Sequence, residues 1–122
     1  MNESFEILLE RFLPYVANSK TLDLVSTKFG ILIVENAGHR SVDIYVDLLD
    51  SFEDLAGRLF RELEGDVSES HGWRDMTDED AEELRSRAEP YISGLPNEAD
   101  ARTLLENYIA WMLSLSNKRQ DD

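Results

Sequence analysis

The sequence predicts a small α+β domain that is mainly helical, with four to five helices and one β-hairpin. Three observations lead to this fold class. Most segments carry apolar residues three or four positions apart, which is typical of amphipathic helices. Half of the 12 Ile and Val residues lie between Phe29 and Leu48, around a glycine-containing turn. A length of 122 residues predicts one globular domain over residues 1–116, followed by a flexible polar tail over residues 117–122.

The first predicted helix runs from Glu3 to about Leu13. Its apolar residues follow the i, i+3, i+4, i+7 rule of an amphipathic helix. They are Phe5, Leu8, Leu9, Phe12 and Val16. Pro14 should end or kink this helix near Leu13, because proline lacks the backbone donor of a helix interior. Polar residues 18–21 then predict a connection.

Residues 22–49 admit two interpretations. β-Branched residues on both sides of the turn at residues 36–39 predict a β-hairpin over about residues 29–48. Gly30 agrees with this, since a glycine in a helix interior costs about 1 kcal/mol relative to alanine. Apolar spacing over residues 22–33 and 45–63 also fits helices, which would give an all-α helical bundle. We favour the hairpin and keep the bundle as the alternative.

A further helix is predicted from about Phe52 to Glu64. Residues 50–51 offer a cap, and acidic residues fill the first turn, where the helix dipole favours them. Gly65 predicts the end of this helix as a C-cap. Residues 66–76 have no apolar period and are predicted to form a loop of unusual length.

Two helices are predicted in the last third of the chain. Thr77 should cap the first of them, with three acidic residues in its opening turn. Pro90 should kink this helix, and the Gly-Leu-Pro sequence at residues 94–96 should end it. Asn97 is predicted to cap the last helix.

The charge of the chain is strongly negative and is concentrated in one segment. There are 26 acidic and 12 basic residues, for a net charge of −14 and a sequence pI near 4.4. Residues 41–83 contain 15 acidic and 3 basic residues, whereas the flanking segments are nearly neutral. Such a chain is not expected to bind nucleic acid or an anionic membrane, because both require a cationic surface. One explanation for this concentration of charge is an acidic face that is only solvated. The more specific explanation is an acidic surface that binds a basic protein.

Several other classes of protein are excluded or disfavoured. The chain contains no Cys, so disulfides, thiolate catalysis and Cys-based metal sites are excluded. No run approaches the roughly 18 apolar residues of a membrane span, and the acidic N-terminal segment does not resemble a signal peptide. We therefore expect a soluble, cytoplasmic protein.

Catalytic and cofactor motifs are not found in the sequence. There is no Gly-x-Ser-x-Gly elbow and no glycine-rich phosphate loop. We predict no cofactor, and a non-catalytic role is favoured over an enzymatic one. His39 and His71 are expected to be exposed loop residues, because zinc needs three or four ligands and Cys is not available.

One alternative function uses a divalent metal. Asp43, Asp47, Asp50 and Asp54 recur every three or four residues, so they would share one stripe if residues 42–64 formed a single helix. Divalent-metal hydrolases built from helices use acids spaced in this way. In this helix, however, the stripe would lie opposite the apolar face and would point to water.

The segment from residue 64 to residue 75 is the predicted partner-binding site. It combines acidic residues with a tryptophan and an arginine, the residue types enriched at interface hot spots. Its members are Glu64, Asp66, Glu69, His71, Trp73, Arg74 and Asp75. The sequence therefore predicts a protein-interaction or regulatory module that uses the acidic segment 41–83 to bind a basic protein.

Two further possibilities remain open at the level of sequence. The acidity could serve solubility alone in a housekeeping domain of a halophile-type proteome, which the presence of 3 Lys against 9 Arg permits. An exposed edge strand of the hairpin could pair with a second copy of the chain, so a homodimer is one option for the assembly.

Overall fold

The structure is a computed structural model that describes residues 3–18, 22–36, 44–72 and 75–120. Within these ranges the chain forms four helices and three strands, which confirms the mainly helical α+β class. The elements are α1 (Glu3–Asn18), β1 (Leu22–Thr27), β2 (Gly30–Asn36), β3 (Ile44–Leu49), α2 (Phe52–Ser70), α3 (Asp78–Ile92) and α4 (Glu98–Gln120). The chain divides into two compact units, Met1–Leu55 and Ala56–Asp122. The prediction of a single domain over residues 1–116 stays a prediction.

Helix α1 buries the apolar stripe that the sequence predicts. Phe5, Leu8, Phe12 and Val16 are all at least nine-tenths buried. The helix does not end near Leu13, because it continues through Pro14 to Asn18. Burial of Val16 on the same stripe as Phe12 stabilises this additional turn. The amide of Asn18 also donates a hydrogen bond to the Pro14 carbonyl at 3.0 Å.

The strands form one antiparallel sheet in the order β1-β2-β3. Strands β2 and β3 are the predicted hairpin, with Leu32 paired to Leu48, so the all-α alternative is wrong. Strand β1 was not predicted, and it pairs with β2 through positions such as Val25 and Leu32. The helical spacing over residues 22–33 therefore did not indicate a helix. Pairing between strands satisfied the backbone donors and acceptors that a helix would have satisfied internally.

The two faces of the sheet differ in burial. Leu22, Ile31, Ile33 and Leu49 are buried on one face. The opposite face carries the cross-strand row of Val25, Leu32 and Leu48, in which Val25 and Leu48 are exposed. We call this second face the outer face of the sheet.

Gly30 has a conformation that explains why it begins β2. Its φ is +146°, in a region that other residues rarely adopt. A Cβ atom at this position would lie only 2.8 Å from the Leu49 carbonyl oxygen of the neighbouring strand. The glycine therefore permits the close approach of β2 and β3 at this end of the sheet.

Helix α2 begins where the sequence predicts. The hydroxyl of Ser51 accepts a hydrogen bond from the Asp54 backbone at 3.2 Å, which is the expected capping contact. Glu53 and Asp54 lie in the first turn, where acidic side chains are favoured. The core residues Leu55, Leu59 and Phe60 follow on its buried face.

Helices α3 and α4 are joined by two arginine clamps. Arg85 donates to both carboxylate oxygens of Glu106 at 2.8 Å, and it also bonds Glu82 on its own helix. Arg102 donates to both oxygens of Glu89 at 2.7 and 2.8 Å. Bidentate pairs of this kind fix geometry better than single ion pairs do. The two helices differ in length, since α4 continues to Gln120. It therefore includes residues 117–120, which were predicted to belong to the flexible tail.

The connection between these helices follows the predicted signals, with one difference. Helix α3 contains Pro90 and ends at Ile92, and Gly94 has a φ of +85°. Helix α4 begins directly after Asn97, as predicted. The side-chain oxygen of Asn97 nevertheless makes no hydrogen bond within the described residues. The Glu98 carboxylate instead accepts from the Gly94 backbone at 3.2 Å.

The clamps are expected to make the stability of this protein sensitive to acid. Hydrogen bonds from Arg102 lower the pKa of Glu89 and of Glu98, and hydrogen bonds from Arg85 lower the pKa of Glu106. Because the folded-state values are depressed, the stabilisation is present above the ordinary glutamate pKa of about 4.3 and is lost as pH falls through the folded values.

Urea unfolding of the wild type and of the double variant R85Q/R102Q at pH 7, 5, 4 and 3 measures this dependence. The wild type should be the more stable protein at pH 7, and the difference should shrink below pH 4. A difference that stays constant over this pH range would contradict the assignment of the acid sensitivity to the clamps.

Candidate functional site

The segment predicted as a long loop is helical for half of its length. Helix α2 continues to Ser70 instead of ending at Gly65, so the predicted loop over residues 66–76 is wrong in its first part. Val67 explains the extension, because it lies four residues after Leu63 and is 1% exposed on the same stripe. A Cβ atom at Gly65 would have open space around it, so close packing against another element does not require a glycine at this position.

This correction moves most of the predicted partner-binding residues from a loop to a helix end. Five of the seven lie on the last turns of α2, in the turn that follows it, or before α3: Glu64, Asp66, Glu69, His71 and Asp75. Trp73 and Arg74 lie outside the described residues. The described members therefore lie at or near the junction between α2 and α3. We use this name for the last turns of α2, the segment after it and the first turns of α3.

His71 connects the end of α2 to the start of α3. Its backbone N–H donates to the Val67 carbonyl at 3.1 Å, which continues the helical pattern by one residue. Its Nε2 lies 2.6 Å from a Glu83 oxygen and 3.5 Å from an Asp80 oxygen. A carboxylate can only accept, so a protonated Nε2 donates to Glu83. His71 is exposed, as the sequence predicts, but its side chain contacts α3.

Glu83 contacts two side chains, one through each carboxylate oxygen. One oxygen contacts His71, and the other accepts a hydrogen bond from Arg87 at 2.8 Å. These hydrogen bonds, first that of His71 and then that of Arg87, lower the pKa of the Glu83 carboxyl. His71 and Arg87 are therefore both engaged with this glutamate.

Asp80 is the buried carboxylate of the junction. It is 4% exposed, and its Oδ2 accepts a hydrogen bond from the Thr77 backbone at 3.0 Å. The Thr77 hydroxyl accepts in return from the Asp80 backbone at 3.3 Å, which completes a capping box. The predicted cap at Thr77 is confirmed. The fixed carboxylate also contacts His71, so helix capping and junction geometry depend on one side chain.

Glu64 and Asp66 lie close to two tyrosines. Burial raises the pKa of Tyr108 to about 12, and the negative charge of Glu64 adds to this effect. Burial and then the charge of Asp66 raise the pKa of Tyr91. Ser68 donates a hydrogen bond to Glu64 at 2.6 Å. Both phenols therefore stay protonated at neutral pH, and Glu64 has a structural hydrogen bond.

Three carboxylates of the junction remain exposed. Glu69 follows the half-buried part of α2, and Asp78 and Glu79 occupy the first turn of α3. Within the described residues, these three side chains have neither an ion pair nor a hydrogen bond to another side chain. We call Glu69, Asp78 and Glu79 the junction carboxylates. The sequence prediction named Glu69 as a site residue, whereas it included Asp78 and Glu79 only as members of the acidic segment 41–83 and as helix-start residues.

The aspartate stripe of the metal hypothesis is not formed as predicted. Residues 44–49 are a strand, so Asp47 lies in β3, whereas Asp50 precedes α2 and Asp54 lies in its first turn. Asp43 lies outside the described residues. In the parts of the chain that the structure describes, no group of three or more His, Asp or Glu side chains could hold a metal ion. The prediction of a single helix over residues 42–64, on which that hypothesis depends, is wrong.

Comparisons with known proteins give no assignment. No family model, curated protein or solved structure matches this chain. None of the described helices is both long enough and apolar enough to cross a membrane.

Proposed function

We propose that this protein is a non-catalytic interaction module that binds a basic protein partner through acidic residues of its segment 41–83. The observation that carries the proposal is the presence of the three junction carboxylates at one helix junction. Within the described residues, none of the three forms an ion pair, and the nearby His71 contacts Glu83 and Asp80 instead. A cationic partner would supply the missing compensation.

The rigidity of the junction supports this function. His71 connects α2 to α3, and the Thr77–Asp80 capping box fixes the first turn of α3. Both contacts hold the backbone that carries the junction carboxylates. A partner would therefore meet carboxylates on a backbone that is already ordered, which reduces the entropy lost on binding.

The charge distribution favours steered association. Segment 41–83 carries a net charge of −12, whereas the flanking segments carry about −1 each. A concentrated field of one sign raises the association rate of an oppositely charged partner and weakens as salt increases. The expected partner surface is rich in Lys and Arg, and its binding should be fast and strongly salt-dependent.

A pair of charge-matched variants tests the proposal. The variant E69Q/D78N/E79Q removes the junction carboxylates, and the control E6Q/E10Q/D100N removes three exposed acids of α1 and α4. Both variants carry a net charge of −11. The probe is a labelled 14-residue peptide of Lys and Ser, whose affinity and association rate are measured between 50 and 300 mM NaCl.

The junction variant should bind the peptide about five- to tenfold more weakly at low salt, since each exposed charge contributes about 0.2–1 kcal/mol. The control should lose less than twofold. Equal losses in the two variants would overturn the proposal, because the acidity would then act only as total charge. That outcome would favour the halophile-type explanation, in which the charge serves solubility.

A further inference from the structure

An apolar row with two exposed members crosses the outer face of the sheet. Val25 and Leu48 are 43% and 51% exposed, and both pair with Leu32 on the central strand. Phe29, in the turn at one end of this face, is 72% exposed. Contiguous apolar surface of this kind marks interaction sites more often than scattered single residues do. On the opposite face of the same sheet, Leu22, Ile31, Ile33 and Leu49 are buried.

Carboxylates lie at the same end of this face as Phe29. A Cβ atom built on Gly30 would lie 3.4 Å from Leu48 Cδ1 and 3.6 Å from the Asp50 Cβ, so Leu48 and Asp50 are neighbours on this side of the sheet. Asp50 is exposed, and Glu53 and Asp54 follow it in the first turn of α2. The cation Lys28 lies over the Phe29 ring at 4.9 Å. Three carboxylates within residues 50–54, against one lysine, leave this end of the sheet negative.

The size of the face indicates what could cover it. Six-residue strands extend about 20 Å, and three of them span about 14 Å, so the face offers about 300 Å². A stable dimer interface buries about 800 Å² on each partner, so this face is too small to form one. A net charge of −14 on each copy also opposes self-association. A helix of 12 residues is about 18 Å long and about 10 Å wide, which matches the face.

We propose that the outer face of the sheet is a docking surface for a single amphipathic helix of a partner protein, with apolar residues on one side and Lys or Arg beside them. The apolar side covers Val25, Leu32 and Leu48, and the basic residues lie near Asp50 and the first turn of α2. The surface is formed by residues other than the junction carboxylates and goes beyond the function proposed above.

Two peptides and a set of variants of the full chain test this docking surface. The probe is a labelled 14-residue peptide of Leu and Lys, with leucines at helical spacing, and its control is the same composition in shuffled order. The variants are L48Q and V25Q on the outer face, and L13Q at an apolar residue of α1 that is 46% exposed. Affinity is measured by fluorescence anisotropy at 150 mM NaCl.

The amphipathic peptide should bind the wild type more tightly than the shuffled peptide, and L48Q and V25Q should each weaken it about tenfold. L13Q should leave its affinity unchanged. If L48Q and V25Q do not fold, the variant D50N tests the proposal instead. It removes the adjacent charge and should weaken binding of the amphipathic peptide about threefold.

Three outcomes would overturn the inference. The first is equal binding of the peptide to L48Q, V25Q and L13Q, or an unchanged affinity in D50N where that variant decides. The second is a loss of binding in E69Q/D78N/E79Q with none in L48Q, which would leave the junction as the only binding surface. The third is a wild-type dimer in sedimentation equilibrium that L48Q dissociates, since the occupant would then be a second copy.

Discussion

Phe12→Ala is expected to lower the free energy of unfolding by about 3–5 kcal/mol. Phe12 is completely buried in α1, and its ring stacks on Tyr15 with a centroid distance of 5.7 Å. Truncation removes the apolar contacts of the ring and leaves a cavity that the surrounding helix and sheet cannot fill completely. Because domains of this size are stable by about 5–15 kcal/mol, the loss is a large share of the total.

Phe29→Ala is the matched control for this prediction. The same atoms are removed, also from residues 1–55, but Phe29 is 72% exposed and contacts only Lys28 in a described ring interaction. An exposed cation–π contact contributes about 0.5–1 kcal/mol, so the control should lose no more than that. Urea unfolding followed by circular dichroism gives both values. Equal losses would show that burial of Phe12 does not stabilise the fold.

Asp80→Ala is expected to cost about 2 kcal/mol, the upper end of the range for a lost helix cap. The substitution removes the acceptor for the Thr77 backbone and also the carboxylate beside His71. The backbone donor of Thr77 would then lose its partner at a half-buried position, which adds to the cost. The junction between α2 and α3 should open more often as a result.

Asp78→Ala is the control that distinguishes the loss of the capping hydrogen bond in D80A from the loss of a negative charge. Asp78 has the same charge and lies two residues earlier in the same first turn, but it is exposed and makes no side-chain hydrogen bond within the described residues. Its loss should cost only the interaction with the helix dipole, about 0.3–1 kcal/mol. Hydrogen exchange of the Thr77 amide should accelerate strongly in D80A and little in D78A. Equal exchange in the two variants would contradict the capping role.

The elements that were predicted correctly are those with local signals. Helix α1 has its apolar stripe within one segment, and the start of α3 depends on Thr77 and the three acids that follow it. The hairpin of β2 and β3 was predicted because β-branched residues flank a glycine-containing turn. In each case, the residues that determine the element are neighbours in the chain.

The elements that were missed depend on distant partners. Strand β1 has a sequence compatible with helical spacing, and its pairing with β2 decided its conformation. Helix α2 passes Gly65 because burial of Val67 outweighs the cost of about 1 kcal/mol for a glycine in a helix. A weak local preference is overridden wherever such packing contributes more free energy than the preference does.

The candidate sites also divide into features that depend on neighbouring residues and features that depend on distant ones. The sequence located the acidic excess in residues 41–83, and it predicts a site for a basic partner around Glu69 and His71. Only the tertiary structure brought His71 to Asp80 and Glu83, and only strand pairing placed Val25 beside Leu32 and Leu48 on one exposed face. Composition and local spacing reveal charge and the starts of helices, because these depend on adjacent residues. Contacts between helices and between strands depend on packing across the chain, so local spacing does not reveal them.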